Sequence, residues 1–145
     1  MLKAYFDGAC APRNPGGHIG IGAYILNHSG EVIFEHSWYL PPSNLNSNNI
    51  AEYLAVESCI DFIIDNGYTN EEIVFYGDSK LVIMQMSGKW KVKNGMYVKH
   101  AINCKLKRIN LINAKFVWIP REMNERADFL SNVELSKRGI KFEKP

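Results

Sequence analysis

Three β-type runs follow one another before any helical periodicity appears, and that order leaves few folds open. Residues 2–7 read as a short strand ending at Asp7, followed by a Gly- and Pro-rich loop from Gly8 to Gly17. A second strand over about 20–26 leads through Asn27-His28-Ser29-Gly30 into a third over about 31–39, and polar turn residues between two β-branched and aromatic runs predict a hairpin. After Pro41, Pro42 and a Ser/Asn-rich loop, Ala51, Leu54, Ala55, Ser58, Cys59, Phe62 and Ile63 recur at helical spacing, and Gly67 suits the end of that helix. Alternation then takes over. The pattern predicts a buried strand over 72–78, a short helix over 80–86 stopped by Gly88, and a basic amphipathic helix over about 97–110. A strand over 115–119, a break at Pro120 and a last helix over about 124–137 complete it. The succession βββαβααβα predicts an α/β fold: a mixed five-stranded sheet, three antiparallel strands and then parallel ones, flanked by helices. With 145 residues and no internal repeat or linker, residues 1–145 are expected to form one domain.

Charge is distributed very unevenly. No Asp or Glu occurs between Asp78 and Glu122, while ten cations do, so that interval is +10; the other residues carry seven cations against all fifteen acids, or −8. A solvated helix face explains many charge runs, but the length of this one, with Trp90 inside Lys89-Trp90-Lys91-Val92-Lys93, points to a polyanion partner. Hydrophobic residues at 46% and charged residues at 22% exclude a disordered or fibrous chain. Cys10, Cys59 and Cys104 are odd in number and far apart, which favours neither a disulfide framework nor a zinc ribbon. A reducing, cytoplasmic setting fits them, and the absence of a long uncharged apolar run predicts no membrane partner.

Carboxylates at strand ends and helix starts carry the chemical information, because open α/β sheets gather their sites at the carboxyl ends of strands. Asp7 and Asp78 are expected at the ends of the first and fourth strands, each followed by a small residue. Glu52 falls in the first turn of the long helix and Asp128 in the first turns of the last. Any one of them alone is a turn or helix N-terminal acid. Together they would repel, by about 4 kcal/mol for a pair about 4 Å apart at an effective dielectric of 20, unless a cation sits among them. Hard oxygen ligands suit Mg²⁺ or Mn²⁺, and two such ions can activate water and stabilise the leaving oxygen of a phosphodiester.

Four motifs in order then become informative: Asp7-Gly8-Ala9-Cys10 with Asn14-Pro15-Gly16-Gly17; Asn48-Asn49-Ile50-Ala51-Glu52; Tyr76-Gly77-Asp78-Ser79; and Asn124-Glu125-Arg126-Ala127-Asp128. This set, with the element order, resembles the type 1 ribonuclease H family over nearly the whole chain. The resemblance implies an endonuclease that cuts the RNA strand of RNA/DNA hybrids with two Mg²⁺ ions, Mn²⁺ being an alternative, leaving 5′-phosphate and 3′-hydroxyl ends. By position Asp7, Glu52, Asp78 and Asp128 match its metal-binding catalytic carboxylates. Asn14, Asn48 and Asn49 match residues that meet the RNA strand, where the 2′-hydroxyl distinguishes RNA from DNA; Asn48 and Asn49 equally suit helix caps. Ser47 matches a hydroxyl near a DNA phosphate, and Trp90, with Lys89, Lys91 and Lys93, the DNA-strand channel.

The sequence departs from the family pattern twice. Lys89 to Tyr97 is too short for the long basic handle many members carry, and Trp118-Ile119-Pro120-Arg121-Glu122-Met123-Asn124 lacks the loop His that assists proton transfer or product release. Arg121 and Glu122 are the candidates for that part, and both equally suit plain surface positions. A monomer acting on a hybrid is the expected state, with a non-catalytic hybrid-binding module of the same fold as the alternative; all four carboxylates being present favours the enzyme. A junction-cutting or DNA-integrating nuclease of the wider fold is disfavoured by the Asn-rich motif.

Overall fold

The computed structural model describes residues 1–140. The elements are β1 (Leu2–Ala11), β2 (His18–Leu26), β3 (Val32–Leu40), α1 (Asn48–Asp65), β4 (Glu72–Gly77), α2 (Lys80–Met86), α3 (Val98–Arg108), β5 (Asn113–Trp118), a single 3₁₀ turn (Arg121–Met123) and α4 (Glu125–Lys137). The sheet order is β3-β2-β1-β4-β5, antiparallel across β1–β2 and β2–β3 and parallel across β1–β4 and β4–β5. This is the mixed sheet expected from the element order.

Alternation along the strands divides the helices between two faces. Leu2, Ala4 and Phe6 of β1 and Ile19, Ile21, Ala23 and Ile25 of β2 join Ile50, Tyr53, Val56, Ile60 and Ile63 of α1 in the main core. The other face of β2 presents Gly20 and Gly22, and α4 lies on them. A Cβ at Gly20 would come within 2.0 Å of the Ser131 carbonyl oxygen, and one at Gly22 within 2.4 Å of the Ala127 oxygen. Only a hydrogen in place of a side chain allows a helix backbone so near a strand. Because Gly22 pairs with Asp7, this close approach brings the first turns of α4 beside Asp7.

Several boundaries differ from the sequence reading, among them the start of β2 at His18 and the end of β4 at Gly77. Asp7 does not end β1: the strand continues to Ala11, since Ala9, Cys10 and Ala11 pair with Gly20, Ile19 and His18 after β4 has run out. What ends near Asp7 is the parallel pairing, whose last pair is Tyr5↔Tyr76. Asn48 and Asn49 do not cap α1; Ser47 does, its Oγ accepting from the Ile50 N–H at 3.2 Å. The last strand begins two residues earlier than expected, at Asn113, and stops at Trp118. Among the described residues no helix is long and apolar enough to cross a membrane.

Candidate active site

β1 has an antiparallel neighbour on one side and a parallel one on the other, so the sheet opens where the parallel pairing stops. Asp7 stands two residues past Tyr5 and Asp78 two residues past Tyr76, on either side of that opening. Switch points of this kind are where α/β sheets hold ligands. Glu52 arrives from α1 because Gly8 lets the helix down onto β1: a Cβ at Gly8 would lie 2.4 Å from the Ala51 carbonyl carbon. The Gly8 N–H then donates to Glu52 Oε1 at 2.7 Å, which fixes the carboxylate to the strand. One oxygen from each of Asp7, Glu52 and Asp78 lies within 4.8 Å of the others. Asp7 is 1% and Glu52 6% exposed, so the group sits largely outside bulk water while remaining open on one side.

Asp128 occupies the first turn of α4, half-buried, and is not one of that close trio. Ser131, one turn further on, is fully buried; its Oγ donates to the Asp128 carbonyl at 2.7 Å and reaches Asp7 Oδ2 at 3.4 Å. Asn124 ties the start of the same helix to β1 by donating from Nδ2 to the Phe6 carbonyl at 3.0 Å. These two polar residues set the approach of α4 to the acidic corner. Asn124 opens the fourth motif but was given no role, and Ser131 was not singled out, because Ser and Asn near a helix start read as ordinary capping or solvent-facing residues.

The carboxylates form one end of a cleft of about 390 Å³ that is also lined by Gly8, Asn48, Asn49, Ser79, Trp118 and Arg121. Asn48 Oδ1 accepts from the Cys10 N–H at 2.8 Å, which turns the donor end of the amide away from β1. Asn14 Oδ1 in turn accepts from the Asn48 N–H at 3.0 Å, so Asn14 supports the start of α1 and does not itself line the cleft. Ser47 is likewise occupied with capping. Burial pushes the Cys10 thiol up from its ordinary value, so this neighbour of the cleft stays a neutral thiol.

Sequence left Arg121 and Glu122 as equals; the structure separates them. Arg121 lines the cleft, whereas Glu122 is exposed outside it. Trp118, which the sequence reading quoted but gave no role, forms part of the wall. Its Nε1 donates to the Asp78 carbonyl at 3.1 Å and Lys80 lies 5.9 Å from its ring centre.

The basic interval divides in two. Lys89, Trp90, Lys91 and Lys93 surround a second depression with Leu81, Gln85 and Tyr97. Gln85, 1% exposed, holds it together: it accepts from Tyr53 at 2.5 Å and donates to the Lys91 carbonyl at 3.2 Å and the Tyr97 hydroxyl at 3.1 Å. Elsewhere in the interval cations are engaged by partners within the chain. Lys107 contacts Asp61 at 2.8 Å and Glu57 at 3.0 Å, which pushes its ammonium up to about 12, and Arg108 donates to the Ala114 carbonyl.

The comparisons agree with this geometry. A family model described as reverse transcriptase-like matches residues 5–133. Ribonuclease HI of Halobacterium salinarum is 29% identical over 134 residues, which cover 92% of this chain and 64% of that protein. The crystal structure of the RNase H1 from that archaeon superposes with a TM-score of 0.81 over 94% of this chain and 98% of that one. LC11-RNase H1, crystallised in complex with an RNA/DNA hybrid, is 30% identical with a TM-score of 0.82 over 95% of this chain and 99% of that one. The bifunctional protein Rv2228c of Mycobacterium tuberculosis is 38% identical over 136 residues, 90% of this chain. This chain spans only 35% of that mycobacterial relative's length. On the match along most of its length, the shared sheet order and the carboxylates gathered at its switch point, the chain belongs to the type 1 ribonuclease H family.

Proposed function

We propose that this chain is an endonuclease that hydrolyses the RNA strand of RNA/DNA hybrids, leaving 5′-phosphate and 3′-hydroxyl ends. The observation that carries the reading is the trio Asp7, Glu52 and Asp78, with one oxygen from each within 4.8 Å of the others at the end of an open cleft. An all-carboxylate donor set fits Mg²⁺, with Mn²⁺ as an alternative. In this reading Asp7, Glu52 and Asp78, with Asp128 in the first turn of α4, are the metal-holding residues. Two bound ions would supply a water nucleophile at neutral pH and charge stabilisation at the leaving 3′-oxygen.

The chain's own groups do the rest. Gly8 N–H holds Glu52 in place, so that carboxylate needs no reorganisation when substrate arrives. The amide donors of Asn48 and Asn49 select the strand that offers 2′-hydroxyl acceptors. Arg121 faces the same cleft and stabilises phosphate charge, the part assigned to the loop His elsewhere in the family. Lys89, Trp90, Lys91 and Lys93 take the DNA strand beyond the cleft; Ser47 and Asn14 contribute by fixing the start of α1.

A panel of end-labelled RNA/DNA hybrid, double-stranded RNA, single-stranded RNA and double-stranded DNA, each incubated with the protein and Mg²⁺, tests this. Cleavage of the RNA strand of the hybrid, with intact duplex DNA, is expected. Tight hybrid binding without cleavage would leave only the hybrid-binding module, and comparable cutting of duplex DNA would refute the reading outright.

A further inference from the structure

The outward face of α3 carries aliphatic side chains where a solvated helix carries polar ones. Its inner face is Ala101 and Cys104, buried where α3 meets α1. On the opposite side Ile102, Leu106 and Ile109 follow at spacings of four and three residues, which places them in one row. Ile109 keeps helical backbone angles (φ −57°, ψ −27°), so it extends the row past the last residue of the helix. Exposure is 49% at Ile102, 62% at Leu106 and 74% at Ile109, and Ile112, just beyond, is 75% exposed. A row of three exposed branched-aliphatic side chains on one helix face, with a fourth close by in sequence, marks an interaction surface.

Its margins are charged with one sign. Three residues to either side of Ile102 stand Lys99 and Lys105, about 60° around the helix on opposite flanks. No acidic residue occurs in α3, and its other two cations are already engaged within the chain, Lys107 with Glu57 and Asp61 and Arg108 with the Ala114 carbonyl. A second copy packed on the row about a two-fold axis would bring these lysines toward their own equivalents. Nucleic acid would satisfy the lysines and leave the isoleucines wet. None of the four aliphatic residues lines the carboxylate cleft or the depression around Trp90.

We propose that this row docks a segment of a separate partner protein: an amphipathic helix with aliphatic residues along its centre and Asp or Glu along both margins. Aliphatic side chains interdigitate with Ile102, Leu106, Ile109 and Ile112, while the acids meet Lys99 and Lys105. The surface lies outside the cleft, so partner and hybrid are held at once. Docking there localises the nuclease without altering its chemistry.

The test uses fluorescence anisotropy of a synthetic amphipathic peptide with Leu along one face and Glu on both margins, and a counterpart with Lys on the margins. The Glu peptide is expected to bind wild type and to weaken as salt rises. Leu106→Ser with Ile109→Ser is expected to cost at least about tenfold, equivalent to about 1.4 kcal/mol, with hybrid cleavage unchanged. Lys99→Glu with Lys105→Glu should reverse the preference in favour of the Lys peptide, a switch that damaged folding would not produce. Failure of the Glu peptide to bind, or equal binding by the Ser variant, overturns the proposal. So does concentration-dependent dimerisation that the Ser variant abolishes, which would give the row to a second copy. Sedimentation with phosphatidylcholine/phosphatidylglycerol vesicles that depends on the same residues, without peptide binding, would give it to a membrane.

Discussion

The acidic corner and the basic interval are both concentrations of like charge, and the structure treats them in opposite ways. Acids are brought together on rigid backbone: Asp7 and Asp78 beside the opening between two strands, Glu52 pinned by a backbone N–H, and α4 seated on Gly20 and Gly22. Cations are spread apart: three line one depression, one lies over Trp118, one pairs with two acids of α1, and two border an aliphatic row. Close packing of like charge is costly at an effective dielectric near 20 and is tolerated where a counter-ion repays it. Spreading costs little and suits diffuse contacts to phosphate, which work by number more than by geometry. The difference predicts that single changes matter greatly in the first region and modestly in the second.

The sharpest way to break that comparison is Asp78→Asn. Cleavage is expected to fall by more than about a hundredfold, since outer-shell partners of metal ligands alone are worth about 10- to 100-fold. With EDTA present, thermal stability should equal or exceed wild type, because one charge has left a repulsive group. A folded Asp78→Asn protein with near-normal turnover would show that the corner is merely structural.

Gly8→Ala attacks the same corner through packing. The added methyl would meet the α1 backbone at 2.4 Å, and overpacking of this kind costs about 1–3 kcal/mol. Denaturant titration should show that loss together with lower activity, as Glu52 is pushed off its strand. Unchanged stability would mean that α1 is not held down by this contact.

Arg121→Ala is expected to lower kcat about tenfold, less than the 10²–10³ of a removed oxyanion donor because this side chain is exposed. Glu122→Ala should have little effect, and hybrid binding should change in neither. The reverse order would move the auxiliary role to Glu122.

In the basic region, the combined change of Lys89, Lys91 and Lys93 to Gln should lower hybrid affinity a few-fold and flatten its log–log salt dependence. Each lost phosphate contact removes about 0.7–0.9 of a unit of slope. An unchanged slope would make this part of the interval a solvated face.

The smallest expected effect is on stability against pH. Burial holds His36, and His100 on α3, below the ordinary histidine value of 6.5. The unfolded chain therefore binds more protons below about pH 6.5, so stability is full above that pH and declines as pH falls through the folded-state values. Replacing both by Gln should flatten the acid side of a melting-temperature profile; an equally steep decline would assign it to other groups.

Most of the architecture was legible because it rests on periodicity and punctuation. α2 was read to the residue from its apolar run and Gly88, and the three carboxylates that the fold gathers, Asp7, Glu52 and Asp78, all lie in the ordered motifs. What stayed hidden depends on neighbours distant in sequence. Asp7-Gly8 looks like a strand end, yet Gly8 is there to admit α1, and β1 runs on against β2. Gly20 and Gly22 look like weak strand residues until α4 is laid on them. Gln85 and Ser131 look solvent-facing, but each is buried as a hydrogen-bonding junction. The +10 interval pointed to a polyanion partner, and only the fold shows that Lys107 and Arg108 are engaged within the chain.

The central claim is that the acidic corner performs metal-dependent hydrolysis on one strand of a hybrid. Its most direct test is the cleavage rate of a hybrid labelled on both strands, followed from excess EDTA through rising Mg²⁺. No cleavage in EDTA, a saturable rise with Mg²⁺ and products from the RNA strand alone are expected. Cleavage that persists in EDTA, or products from the DNA strand at a similar rate, would contradict it.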